Sequence, residues 1–293
     1  MPPVLAAALW MIGAITAFTS MAIAGRQISG TYDTFEIMTY RSLVGIVIVV
    51  AFTTLTGRWS EVRRDRLPLH GLRNATHFIG QNLWFYAIPL IPLAQLFALE
   101  FTTPIWVLLL SPLLLGEKIT RIGLVSAALG FAGILLVAQP GTSDFSFGLI
   151  PAALCAVFFA LTAILTRKLT QDQSVTCILF WLTTMQAVFG LVTAGWDGDI
   201  LPPTAPGWPW LVLIGCAGLM AHFCLTMALK LAPASVVMPI DFVRLPVIAV
   251  VGMVLYDEPL SLLIFLGAGL IFAGNYLNIT RGQSRSAGAT RAG

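Results

Sequence analysis

Charge is scarce in this sequence. Only 10% of its 293 residues are Asp, Glu, Lys or Arg, where a soluble domain carries about 25%. Such a chain cannot cover a water-facing surface. With 58% hydrophobic residues and a mean hydropathy of +0.89, its solvent is lipid. The net charge of +3 is small. Its basic residues gather in short loops, which membrane topology explains without a nucleic-acid partner. Cysteine is sparse too. Cys155, Cys177, Cys216 and Cys224 all lie inside apolar stretches and form no C-x-x-C pair, so they read as small apolar side chains. No two His, Cys, Asp or Glu residues share an i,i+4 pairing within one helix, so no metal is expected. No cofactor is expected either. The first apolar run lacks a basic leader and a cleavage site followed by a polar domain, so it is expected to be a retained helix and not a removed signal.

What is present is a repeat at a spacing of 141 residues. Arg26 returns as Arg167, Pro92 as Pro233, Phe101 as Phe242 and Glu117 as Glu258, and Phe131-Ala132-Gly133 returns as Phe272-Ala273-Gly274. No gap separates these pairs, so one half reads as a copy of the other. Each copy holds five apolar stretches. An odd-numbered copy must insert upside down relative to its twin, which is a secondary-transporter architecture with a substrate site near the midplane.

The expected fold is therefore an all-α integral membrane protein of ten transmembrane helices, arranged as two inverted five-helix repeats around a central cavity. The spans fall at about 4–24, 34–56, 70–88, 92–115, 119–138, 148–167, 174–194, 208–229, 234–256 and 260–279. The first repeat occupies 1–140 and the second 148–281, with 282–293 expected as a disordered cytoplasmic tail. With the N-terminus inside, thirteen basic residues face the cytoplasm: Arg58, Arg63, Arg64, Arg66, Arg73, Lys118, Arg121, Arg167, Lys168, Lys230, Arg281, Arg285 and Arg291. The outer loops hold only Arg26, and Arg41 and Arg244 fall inside helices. Both termini are thus expected to be cytoplasmic. Arg26 outside and Arg167 inside is what inverted halves require.

A charge near the bilayer centre costs at least ~2.5–3.5 kcal/mol, so each one needs a reason. Glu100 lies eight residues after Pro92, which sets it ~12 Å below the outer surface. Asp241 lies eight residues after Pro233, ~12 Å above the inner one. Each half thus brings one acid toward the midplane. Asp241 with Arg244 at i,i+3 reads either as a structural ion pair or as part of a site. Glu100 has Thr103 at the matching position. Arg41 has three candidate partners: Glu100, Glu36 or a substrate carboxylate. Asn74, His77, Gln81 and Trp84 form a stripe on helix 3 that should line a cavity, and His222 is the only counterpart on helix 8. Ser126-x-x-x-Gly130, Ala128-x-x-x-Ala132 and Gly269-x-x-x-Ala273 read as packing within the bundle or as a dimer face. Pro104, Pro112, Pro239 and Pro246 invite bends in helices 4 and 9.

Pro104, then Gly116-Glu117 closing helix 4, then Gly123, Gly130 and Gly133 along helix 5, resemble the signature of an EamA-type domain. The second copy carries Pro246, Glu258, Gly267, Gly269 and Gly274, with Asp257 in place of the usual glycine, and Arg41 is typical of the first copy. The chain thus resembles the ten-helix drug/metabolite transporter superfamily over almost its whole length, and within it the bacterial amino-acid exporters, including the aromatic ones. The resemblance implies a cavity between helices 1, 3, 4, 6, 8 and 9, with helices 2, 5, 7 and 10 outside. It also implies a structural role for Glu117 and Glu258.

The leading expectation is a carrier in the bacterial cytoplasmic (inner) membrane that exports amino acids or related metabolites by alternating access. Glu100 or Asp241 would take the ammonium, and Arg41, Arg244, His77 or Asn82 the carboxylate. Gln81 and His222 complete the polar lining, while Trp84, Phe78 and Phe158 would contact an apolar side chain. The alternative is the same carrier with another cargo: a vitamin, a nucleoside or an organic cation. An intramembrane enzyme would have only His77, His222, Glu100 and Asp241 to work with, so no catalytic residue is expected. A channel would lack saturable, counter-stimulated flux. The expected partners are a small-molecule substrate, the lipid bilayer and protons, and the chain is expected to be a monomer or a weak homodimer.

Overall fold

The computed structural model describes residues 3–116, 120–139, 146–196, 198–231, 237 and 240–289. Its helices are α1 (Pro3–Ile28), α2 (Thr34–Leu55), α3 (Leu67–Ala87), α4 (Leu93–Glu100), α5 (Thr103–Leu115), α6 (Arg121–Ala138), α7 (Leu149–Leu169), α8 (Val175–Ala194), α9 (Trp208–Leu231), α10 (Arg244–Tyr256) and α11 (Leu262–Ala289), with a 3-10 turn at Arg58–Glu61. Among the described residues there is no strand. Among the described residues, seven segments are long and apolar enough to cross a membrane. α3 falls short because its polar stripe lowers its hydropathy. Val47, Leu55, Leu113, Val192 and Leu262 stand exposed on the outside, where lipid and not water is the compatible solvent.

Short polar caps start several of these helices. Asp33 accepts from the Glu36 amide while the Glu36 side chain accepts from the Asp33 amide, a capping box that opens α2. Ser174, at the repeat position of Asp33, caps α8 through the Cys177 amide, and Thr120 caps α6 through Gly123. These oxygens satisfy amides that have no partner inside the helix.

The fourth expected span is present as one apolar segment, Leu93–Leu114, but it is interrupted. It breaks at Phe101-Thr102 into α4 and α5. Pro104 has no N–H, so the Glu100 carbonyl accepts from the Thr103 hydroxyl instead, at 2.7 Å. α10 begins after turn residues Phe242-Val243, at the repeat positions of that break. α5 ends at Gly116 with φ 70° and α10 at Asp257 with φ 53°. That left-handed cap explains the glycine of the motif, and Asp257 occupies it with a side chain. Phe101 and Phe242 stack face to face at 4.5 Å, so the two breaks touch.

At the first break the Phe101 carbonyl is left over, because Ile105 donates to Thr102 instead. The Asn275 amide of α11 takes it at 2.9 Å. Asn275→Leu leaves that buried carbonyl without a donor and is expected to cost about 1–3 kcal/mol, read as a lower melting temperature in detergent.

α1 packs on α9, α3 on α7, α2 on α8 and α6 on α11. A shift of 141 residues exchanges the first two pairs and maps each of the last two onto itself. The α6–α11 contact is the closest. A Cβ on Gly133 would lie 2.5 Å from the Gly267 carbonyl oxygen, and one on Gly274 would lie 2.6 Å from the Ser126 carbonyl oxygen. These contacts are exchanged by the same shift. The stripe carrying Ser126 and Gly130 therefore packs within the chain, whereas Gly269 faces open space. Gly133→Val drives a branched side chain into backbone that cannot yield. It is expected to separate α6 from α11 and to abolish accumulation of folded protein, measured by monodispersity after extraction.

Three expectations change. Arg26 lies not in a loop but in the last turn of α1. The segment from 282 is helical through Ala289, as the end of α11. Arg73, expected to face the cytoplasm at the foot of helix 3, is buried within α3. Glu117, Lys118, Pro233 and Pro239 fall outside the described residues.

Candidate functional site

A cavity of 490 Å3 opens between α1, α3, α4, α7 and α9. α3 contributes Arg73, His77, Gln81 and Trp84, at spacings of four, four and three residues that keep them on one face. α7 contributes Phe159, Thr162, Ala163, Thr166 and Arg167, and its C-cap Thr170, in the same way. Phe18 and Met21 of α1, Glu100 at the end of α4, and His222 and Leu225 of α9 complete the wall. The cavity meets solvent at the end where Ala163, Arg167 and Thr170 are exposed.

The opposite end is tied shut. Arg26 donates to Glu258 Oε1 at 2.5 Å and to the Ile91 carbonyl at 2.6 Å. Glu258 Oε2 accepts from the Leu93 amide, the first of α4, at 2.8 Å. One carboxylate thus joins α1, the start of α4 and the end of α10. This agrees with the structural role expected for Glu258. Around the rim, Tyr32 accepts from the Thr204 amide, and Glu36 accepts from the Leu201 amide. At the open end, peripheral loops are clamped by Arg66–Asp172 at 2.7 Å and Arg63–Asp65 at 2.9 Å. Hydrogen bonds from Thr176 and Ser174 hold the Glu61 carboxyl there below its ordinary range.

Glu100 sits at the inner wall. Its Oε2 accepts from Trp84 Nε1 at 2.8 Å, and Arg244 Nη2 lies 3.4 Å from Oε1. The same Nη2 donates to Asp241 at 3.1 Å. The two repeat-related acids therefore share one guanidinium. Arg244 is 4% exposed and lies over the rings of Phe18, Phe97 and Phe101, at 4.4, 5.1 and 4.7 Å, where cation–π attraction replaces part of its lost hydration. Neither Asp241 nor Arg244 lines the cavity.

Arg41 lies partly buried behind Gln81 and donates to its Oε1. That leaves Gln81 Nε2 as the donor the cavity meets. Glu36 is occupied at the α2 cap, so neither acid proposed for Arg41 is its partner. His77 and His222 face each other at 6.2 Å between ring centroids, with Phe159 6.1 Å from His77 and Phe18 5.9 Å from His222. Among the described residues no group of three His, Cys, Asp or Glu gathers as a metal site.

Of the expected site residues, Glu100, His77, Gln81, Trp84 and His222 come together on the cavity wall, with Arg41, Asp241 and Arg244 one layer behind. Three lie elsewhere. Asn82 donates to the Phe78 carbonyl within its own helix. Phe78 packs on Phe35 and Phe189. Phe158 gives its place on the wall to Phe159. Asn74 also turns away, to the Trp181 carbonyl. Sequence reasoning missed Arg73 and the Thr162, Thr166, Thr170 ladder. The i, i+4, i+8 spacing of those threonines was a visible signal.

The apolar helices, long enough to cross a membrane, make this a multi-pass membrane protein with a cavity between its helices. The EamA-like transporter family profile matches residues 5–139 and again 146–280, and the chain belongs to that family. It is 28% identical over 286 residues to a riboflavin transporter of Brucella anthropi, covering 94% of this chain and 100% of the relative. It is 22% identical to an S-adenosylmethionine uptake transporter of Rickettsia bellii, covering 85% and 84%. An uncharacterized transporter of Helicobacter pylori is 31% identical, over 84% and 85%. A solved crystal structure with TM-score 0.63 and 19% identity covers 95% of this chain and 98% of its own, and bears on the fold alone. The protein is a membrane transporter, as its sequence suggested. Two of these relatives are named for riboflavin and S-adenosylmethionine, and none of the three for an amino acid.

Proposed function

We propose that this protein is an alternating-access carrier of the bacterial cytoplasmic membrane that takes up a small aromatic heterocyclic metabolite of the vitamin or nucleoside class. The observation that carries this reading is the cavity wall itself. Phe18, Trp84, Phe159 and the His77–His222 pair offer ring faces, and Gln81 Nε2 is a donor for a ring carbonyl or ring nitrogen. Amino-acid export needs a free carboxylate for the substrate ammonium, and Glu100 already accepts from Trp84 and pairs with Arg244. The relatives named for riboflavin and S-adenosylmethionine support the same choice.

The halves are read as inverted copies. Two family matches offset by 141 residues support this, as do the matching helix breaks, the Phe101–Phe242 stack and the exchanged glycine contacts. Cytoplasmic termini follow from the thirteen basic residues assigned inside against Arg26 outside. The state described is then closed to the outside and open to the cytoplasm. Glu100, His77, Gln81, Trp84 and His222 contact substrate, while Arg41, Arg244 and Asp241 position them. Two carboxylates on one guanidinium make Glu100 and Asp241 the place for a coupling proton. The α6–α11 packing uses the small-residue stripe internally and supports a monomer.

Counterflow in proteoliposomes tests the reading, with riboflavin, S-adenosylmethionine, nucleosides and aromatic amino acids as cargo, with and without a pH gradient. Saturable counterflow of a heterocycle is expected. Counterflow of amino acids alone would overturn it.

A further inference from the structure

Arg73 lines this wall with no acid paired to it among the described residues. It is 7% exposed. Its Nε donates to Thr166 Oγ1 at 3.0 Å and its Nη1 to Asn74 Oδ1 at 2.8 Å. Both partners are neutral, and Nη2 makes no hydrogen bond among the described residues. Other internal cations differ. Arg26 has Glu258, and Arg244 has Glu100 and Asp241. Arg41 also lacks an acid, but Gln81 stands between it and the cavity. A buried cation without a counter-charge is costly, so its retention on a cavity wall asks for an anion from outside the chain.

The neighbours fit that role. The Thr166 hydroxyl donates to the Thr162 carbonyl at 2.7 Å, so its oxygen is free to accept only and holds the guanidinium in place. Arg167 and Thr170 line the same end. Glu100, the wall's carboxylate, lies against Trp84, roughly 16 Å from Arg73 along α3 at 1.5 Å per residue. The cavity is thus aromatic and donor-rich in the middle, with the Arg73 guanidinium toward its mouth.

We propose that Arg73, steadied by Thr166, forms an anion subsite that selects heterocyclic or aromatic substrates carrying a carboxylate or phosphate group. This rests on the carrier reading above and deepens it. A planar guanidinium with a free edge suits either oxyanion.

Matched pairs test it in proteoliposomes of the full chain: riboflavin against riboflavin 5′-phosphate, and indole-3-ethanol against indole-3-acetate, each as competitor of counterflow. Wild type is expected to prefer the anionic member of at least one pair by tenfold or more. Arg73→Gln should erase that preference while keeping the neutral member's affinity. Arg73→Lys should keep part of it, and Thr166→Val should weaken it. Equal loss for both members in Arg73→Gln, or no preference in wild type, would overturn the subsite alone. Protection of the wild type against heat by inorganic phosphate, as strong as that by either anionic ring compound, would overturn its assignment to substrate. Failure of every compound to bind or exchange would overturn the carrier reading beneath it.

Discussion

Arg244→Leu is expected to abolish transport and to lower stability by about 3–5 kcal/mol. The guanidinium is nearly water-free and holds both Glu100 and Asp241. Removing it leaves two carboxylates without their counter-charge beside Phe18, Phe97 and Phe101, only 16% and 12% exposed. Asp241 is the more vulnerable, since its Oδ1 already lacks a hydrogen-bond partner among the described residues. The triple replacement Glu100→Gln, Asp241→Asn, Arg244→Leu removes the charges together. It is expected to regain most of the lost stability and none of the transport. Melting in detergent and uptake by proteoliposomes read the two effects separately. A fully active Arg244→Leu protein would remove the three-charge cluster from the mechanism.

Glu258→Gln is expected to open the closed end. The substitution keeps an acceptor for the Leu93 amide but discharges the ion pair with Arg26, whose side chains are only 15% and 11% exposed. The cost should fall toward the lower end of the ~3–5 kcal/mol range for breaking buried pairs, because some water reaches both groups. The readout is a cysteine placed at Met21 on the cavity wall, in a chain whose four native cysteines are replaced. A membrane-impermeant maleimide added from the Arg26 side should miss it in the parent and label it in Glu258→Gln. The reversal Arg26→Glu with Glu258→Arg restores the ion pair but gives Leu93 no acceptor, so rescue should be partial. Labelling unchanged by Glu258→Gln would show that this link does not close the end.

Much of this fold was legible because each apolar run is long and bounded by turn residues. The repeat was legible because its landmarks are charges, prolines and glycines, which lipid-facing positions rarely carry. The break at Phe101-Thr102 was not. Pro104 signals a bend, but the place of the break depends on Phe101 meeting Phe242, a contact 141 residues apart. The rotation of α7 was equally hidden. A membrane helix is apolar toward lipid and toward its neighbours, so periodicity could not decide between Phe158 and Phe159. Arg73 was misread for a different reason. Its charge fitted the topological count so well that its spacing from His77, Gln81 and Trp84 went unused.

Glu100 is the last residue of α4, and the turn Phe101-Thr102 follows it directly. Whatever the carboxylate holds therefore pulls on the point where that span can swivel. No relay of side chains is needed between recognition and motion. In such a layout a tightly gripped cargo would also lock the swivel, so this carrier should work best with a substrate it holds only loosely.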